Sequence, residues 1–217
     1  YPILGTIAQI NAFALGAQMT NPRAKVYLEW STLKEQDIEK RIDEIDPNCI
    51  SGKDIIVPDD NNHFYGVYHR ESGGGEQKNL AMPLCHWGKF YEELIRTIMA
   101  GNWEQDNDVE KAINYWWGMP TGVVDVICSK KLPAGTVRLV NVLKHNYKTG
   151  QFHTFTDQMY AQGHILKEKK GETLSPEEVI EMDWLAENII GRIPKIEELQ
   201  EQAKPVLTQQ GIETRKG

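Results

Sequence analysis

At 217 residues the chain can bury a good core, as one large domain or as two lobes. Charged residues make up 25% and hydrophobic ones 40%, ordinary for a globular protein, and a net charge of −7 with scattered Lys and Arg argues against nucleic acid as a partner. No apolar run approaches the roughly 18–20 residues of a membrane span, and three cysteines without CxxC spacing exclude a zinc ribbon or a dense disulfide framework.

Tyr1-Pro2-Ile3-Leu4 has no basic start and no long apolar stretch, so no signal peptide is read there. Residues 6–20 carry Ile7, Ile10, Ala14 and Ala17 at helical spacing, and Asn21-Pro22 stops the helix. Lys25 to Trp30 (KVYLEW) reads as a strand. Thr32 is expected to cap a helix to about Glu44, with Ile38, Ile42 and Ile45 on one face and Asp46-Pro47-Asn48 at its end. Asp54 to Pro58 (DIIVP) and Tyr65 to His69 (YGVYH) read as strands, the first of the kind a parallel sheet buries. This alternation predicts an α/β domain with a parallel sheet flanked by helices.

Gly73-Gly74-Gly75 reads as a flexible turn, since no lysine-serine ending makes it a phosphate loop. Asn79 to Leu84 (NLAMPL) is an extended crossover. Residues 87–100 form a helix with Phe90, Leu94 and Ile98 on its buried side, closed by Gly101. A Trp-rich turn with Tyr115-Trp116-Trp117 precedes a strand at Gly122 to Ser129 (GVVDVICS). Pro133 opens a helix to about Tyr147, and Gln151 to Gln162 is strand plus turn. The basic run Lys167 to Lys170 is expected in a turn. Ser175-Pro176-Glu177-Glu178 has the form of a capping box, starting a helix to Ile190. A last helix from about Lys195 breaks near Pro205, and the tail beyond Gln210 frays.

No hydrolase, zinc-protease, Walker or dinucleotide pattern occurs in a suitable context, so no catalytic residue and no cofactor is assigned. The histidines at 63, 69, 86, 145, 153 and 164 lack metal-ligand spacing, and no metal site is assigned. Cys85-His86 are adjacent and point apart, unlike a nucleophile and its base. Cys49, Cys85 and Cys128 are expected to be buried thiols, with one disulfide as the alternative.

Strand ends offer better candidates, because ligands in α/β sheets bind beyond the carboxyl ends of strands. Trp30 ends one strand, His69, Arg70 and Glu71 end another, and His86 and Trp87 follow the crossover at a helix start. Trp30 and Trp87 would offer flat faces to a heteroaromatic ring or a sugar, with Arg70 or His86 for hydroxyl or carbonyl acceptors. Core packing is the competing role for each tryptophan.

Several segments together resemble the second half of a basic-membrane-protein (BMP) family solute receptor. They are Asn21-Pro22 with KVYLEW, HWGKFYEELIRTIMAGNW, GVVDVICS followed by LPAGTVRLVNVLK, and SPEEVIEMDWLAENIIG. The resemblance runs from Gly5 to about Pro194 and rests on order and spacing. It implies a type I periplasmic-binding-protein fold, with two α/β lobes on a three-strand hinge and the first lobe largely missing from this chain. Residues 1–78 would then be second-lobe α/β structure. Residues 79–130 would hold the hinge crossover, long helix and Trp-rich segment, and 131–217 the C-terminal helices and final crossover.

The implied function is the extracytoplasmic solute-binding component of an ABC importer, closing on a nucleoside-like, heteroaromatic or sugar ligand. The implied placement is a membrane-anchored lipoprotein whose signal and lipid anchor lie upstream, with ABC permease subunits as partners. Nucleoside-binding members carry an aspartate after the strand that here ends Tyr68-His69-Arg70, and a serine and a lysine in the crossover that here reads Ala81 to His86. Histidine or arginine stands for that aspartate, and His86 is the candidate for the lysine. The alternatives are a cytoplasmic ligand-sensing regulatory domain of the same fold and a nucleoside-processing enzyme. A helix 87–100 that exposes Phe90, Tyr91, Leu94 and Ile95 also predicts self-association.

Overall fold

The computed structural model describes residues 1–52, 66–71, 78–101 and 118–212. DIIVP, the triple glycine, Trp103, Tyr115-Trp116-Trp117 and His63 lie outside the described residues. The chain divides into two compact units, Tyr1–Glu44 with His153–Gly217, and Ile45–Phe152.

The first unit opens with helix α1, Thr6–Thr20, over the predicted span. Its buried line is Ile7, Ala8, Asn11 and Ala14. Strand β1 is only Val26–Tyr27, paired in parallel with β8, Ile189–Ile190. The ladder continues beyond both, since Val26 N–H donates to Asn188 and Leu28 N–H to Ile190. Around this pair pack Ile7, Ala8, Ala14, Trp30, Met182, Leu185, Ala186 and Ile189, which form the core of the unit. Helices against a parallel pair bear out the α/β class.

Helix α2 spans Ile38–Ile45 and starts later than expected. Thr32 does not cap it: Asp37 does, its Oδ1 accepting the Lys40 N–H at 3.1 Å. The intervening residues turn, with Glu35 at φ 57, a left-handed conformation no helix can carry.

Helix α5, Pro176–Ile180, has the predicted capping box at Ser175 and Glu178 but ends ten residues before Ile190. The Asn11 side chain supplies the reason. Its amide donates to Trp184 O at 2.7 Å and its carbonyl accepts from Ala186 N–H at 2.8 Å, replacing helical partners with tertiary ones. Strands β6 (Thr156–Ala161) and β7 (Ile165–Thr173) form a hairpin. The basic run therefore lies in a strand, and Lys167 sits over the Trp184 ring at 5.8 Å. Pro205 falls in the first turn of α6, Lys204–Gln210, where its missing N–H costs nothing. It opens that helix instead of breaking one.

The second unit is built on β2 (Cys49–Ser51), β3 (Val67–His69), β4 (Lys78–Cys85) and β5 (Val124–Cys128), in that order and antiparallel throughout. The link from His69 to Lys78 is too short for the dozen or more residues of a parallel crossover. The expected crossover segment is thus a sheet strand. Pro83 lies beyond Ala81, the last residue of β4 in the described register with β3. Helix α4, Ala134–Lys148, is tied to β5 by Lys144, whose ammonium meets Asp125 at 2.6 Å and Val126 O at 2.9 Å.

Helix α3, Trp87–Met99, follows β4. Phe90 and Leu94 are half-buried, but Ile98 is exposed, contrary to expectation. Tyr91, Ile95 and Met99 are exposed as well. The cysteines are free thiols, and Cys49 and Cys85 are exposed where burial was expected, Cys49 at the first residue of β2 and Cys85 at the last of β4.

Candidate functional site

The parallel pair sets the geometry of the first unit. Beyond the carboxyl ends of β1 and β8 the chain continues as Leu28-Glu29-Trp30 and Gly191-Arg192. These two segments line a cleft of about 240 Å3, together with Tyr27, Leu33, Arg41, Ile190 and Pro194. Diverging backbones at the end of a parallel pair leave such a crevice, and loop residues close it.

Trp30 is only 6% exposed. Its indole N–H donates to Arg192 O at 2.7 Å, pinning one lip of the cleft to the other. Gly191 makes that approach possible. It sits at φ 149, and a Cβ there would lie 2.8 Å from Leu28 O and 2.9 Å from Leu28 Cβ.

One wall is polar. Arg41, from α2, approaches Glu29 through Nη2 at 3.0 Å and Nε at 3.3 Å, while its Nη1 donates to Glu44 at 2.7 Å. Gln36 donates to the other oxygen of Glu29. Hydrogen bonds from Arg41 to Glu44 and then Glu29 hold its guanidinium above the ordinary arginine range. Arg192 pairs with Glu198, which in turn accepts the Lys195 N–H. The Arg192 hydrogen bond first, then that backbone bond, lower the Glu198 carboxyl to about 2. The apolar lining includes Leu28, Leu33, Ile190 and Pro194.

The remaining predicted residues lie in the second unit. His69 is the last residue of β3, and its Nδ1 lies 2.7 Å from Asn48 O. Arg70 N–H donates to the same carbonyl at 3.0 Å. Glu71 accepts from Lys78 at 2.8 Å, and that bond holds its carboxyl below the usual range. His86 and Trp87 stand at the far end of β4. His86 N–H donates to Val123 O at 2.7 Å, and Trp87 is 60% exposed, edge-on to Phe90 at 5.9 Å. His69 pairs with Lys78 at one end of β4, and His86 follows the other. At about 3.3 Å per residue, eight residues separate the two groups by roughly 26 Å. The structure therefore brings His69, Arg70 and Glu71 together and keeps His86 and Trp87 apart from them. Glu29, Gln36, Arg41 and Arg192 were not anticipated. Only Glu29, next to Trp30 at a strand end, carried a signal that could have found it.

The chain is 24% identical over 205 residues to a purine-binding protein of Brucella abortus, covering 89% of this chain and 57% of that protein. It is 30% identical over 135 residues to a putative ABC transporter glucose-binding protein of Haloferax volcanii, covering 57% of this chain and 32% of that protein. The chain is thus similar to proteins named for binding purine or glucose, the second of them as part of an ABC transporter. No protein-family model matches it. The chain spans about half the length of the first of these relatives and a third of the second. Both relatives are named as binding proteins, not enzymes.

Proposed function

We propose that the chain is part of a solute-binding protein that captures a small nucleoside-like, heteroaromatic or sugar ligand for an ABC permease. The observation that carries this reading is the cleft at the carboxyl ends of β1 and β8, with apolar and polar lining residues and a tryptophan clamping its lips. Such a mixed lining is what a small-molecule site requires. The names of the two relatives support binding without turnover. The proposed placement is extracytoplasmic, as a lipid-anchored protein. Self-association through the exposed face of α3 is part of the same proposal, since Tyr91, Ile95 and Met99 form one apolar stripe.

A thermal-shift series with adenosine, adenine and D-glucose tests the reading. Binding to the native state alone must raise the unfolding temperature. A saturable shift with one class, lost in Trp30→Ala but kept in Trp87→Ala, is the expected result. No shift with any of them would reject the cleft as a site for these ligands. Three free cysteines, two of them exposed, favour a second reading, a cytoplasmic sensor domain of the same fold. Fractionation of the native host with an antibody to the chain separates the two placements.

A further inference from the structure

We infer that Lys144, paired with Asp125, guards the outer edge of β5 and keeps the four-stranded sheet from adding a strand of a second copy of this chain. The guard lies wholly within the second unit and stands apart from the cleft of the first.

The register of β4 and β5 shows which groups need guarding. Leu84 pairs with Asp125, Pro83 with Val126 and Met82 with Ile127. His86 N–H donates to Val123 O and Ser129 N–H to Leu80 O, one pair beyond each end. Antiparallel strands exchange main-chain bonds at every second pair. Asp125 and Ile127 therefore bond towards β4, while Val124, Val126 and Cys128 turn their N–H and C=O groups outwards. Among the described residues no further strand pairs with that side of β5. Such an edge is a template for another strand. At the other margin β2 has only three residues, whereas β5 has five, the length of an ordinary strand. Its sequence, VDVIC, favours extended structure, and Ile127 is exposed.

Val126 is the middle of the three outward residues, and both of its main-chain groups are taken. Its N–H donates to Asp125 Oδ1 at 2.8 Å. Its carbonyl accepts from the Lys144 ammonium at 2.9 Å. The same ammonium meets Asp125 Oδ1 at 2.6 Å, closing the group on itself. Lys144 comes from α4, so the helix lays a cation across the strand edge. The two side chains are only 20% and 27% exposed, which separates this pair from a loose surface contact. The hydrogen bond from Lys144, first among the causes, holds the Asp125 carboxyl below the usual carboxylate range, so the pair is ionised at neutral pH. An arriving strand would have to break the Val126 bonds and part an ammonium from its carboxylate. A lysine at a strand edge opposes pairing for this reason.

Sedimentation and amide I infrared spectra of Lys144→Met and Lys144→Arg test the guard. Both are made in the Ile95→Lys background, which removes association through α3. Lys144→Met keeps an unbranched chain without the ammonium, and should associate with an intermolecular-sheet band. Its dissociation constant should fall at least roughly tenfold, the worth of one net hydrogen bond. Lys144→Arg keeps the cation and should behave as its parent. Adding Val126→Pro to Lys144→Met removes the outward N–H at the centre of the edge, and should abolish the association. Urea midpoints check that each variant folds, and Lys144→Gln, shorter and neutral, serves if Lys144→Met does not. A folded Lys144→Met or Lys144→Gln variant as monomeric as its parent would overturn the inference. Association that survives Val126→Pro, or that lacks the infrared band, would overturn it as well.

Discussion

Asn11 is the side chain on which the first unit most depends, and its replacement tests how that unit is held. Asn11 is fully buried on α1 and bonds both Trp184 O and Ala186 N–H, more than 170 residues away. Asn11→Ala removes both bonds and leaves both backbone groups without a partner inside the core. Each orphaned group costs about 1–3 kcal/mol, and the lost volume adds about 1 kcal/mol. The expected destabilisation is about 3–7 kcal/mol, a large part of the roughly 5–15 kcal/mol that stabilises a domain. Asn188 provides the control. It is equally buried, but only its amide is well bonded, to Ala14 O at 2.8 Å, and its Oδ1 has no partner among the described residues. Asn188→Ala therefore discards one bond and one unsatisfied oxygen, and should cost about 0–2 kcal/mol. Urea unfolding followed by tryptophan fluorescence measures both, since Trp30 and Trp184 belong to this core. An Asn188→Ala variant as destabilised as Asn11→Ala, at unchanged m-values, would refute the reasoning.

Gly191→Ala should lower stability by about 1–3 kcal/mol and abolish ligand binding, because its Cβ meets Leu28 at the lip of the cleft; a ligand-binding alanine variant would show that the lip can move. The Glu198 carboxyl, lowered to about 2 from an ordinary 4.5, contributes stability that is complete above its unfolded value and is lost as pH falls through the folded one. The unfolding temperature of Glu198→Gln should therefore depend less on pH than that of the wild type between about pH 5 and pH 2. Parallel curves would remove the pair from the account. Ile95→Lys on α3 replaces an exposed apolar residue, so it should change stability by less than about 0.5 kcal/mol while reducing self-association in light scattering. A wild type that stays monomeric at high concentration would leave that face without a second copy.

Local signals were legible where the chain carries its own chemistry. The span of α1 follows from apolar spacing and the Asn21-Pro22 stop, and the start of α5 from its capping box. The start of α3 and the span of β5 were read to within two residues. The relation to solute-binding proteins also came from linear order, because each segment keeps its neighbours in sequence. The errors lie where distant residues decide. Nothing near Glu181 stops a helix; Asn11 does, from the other end of the chain.

The same division holds for the site. Sequence alone placed a tryptophan near the end of a strand, at residue 30, and a glutamate before it. Only the tertiary structure decided that β8 lies parallel to β1 and delivers Gly191 and Arg192 to that tryptophan. It alone brought Arg41 from α2 onto Glu29, and held His69 and His86 at opposite ends of one strand. The physical reason is range. Caps, turns and periodicity act over four or five residues, whereas a binding cleft is closed by hydrogen bonds and ion pairs whose partners no local pattern announces.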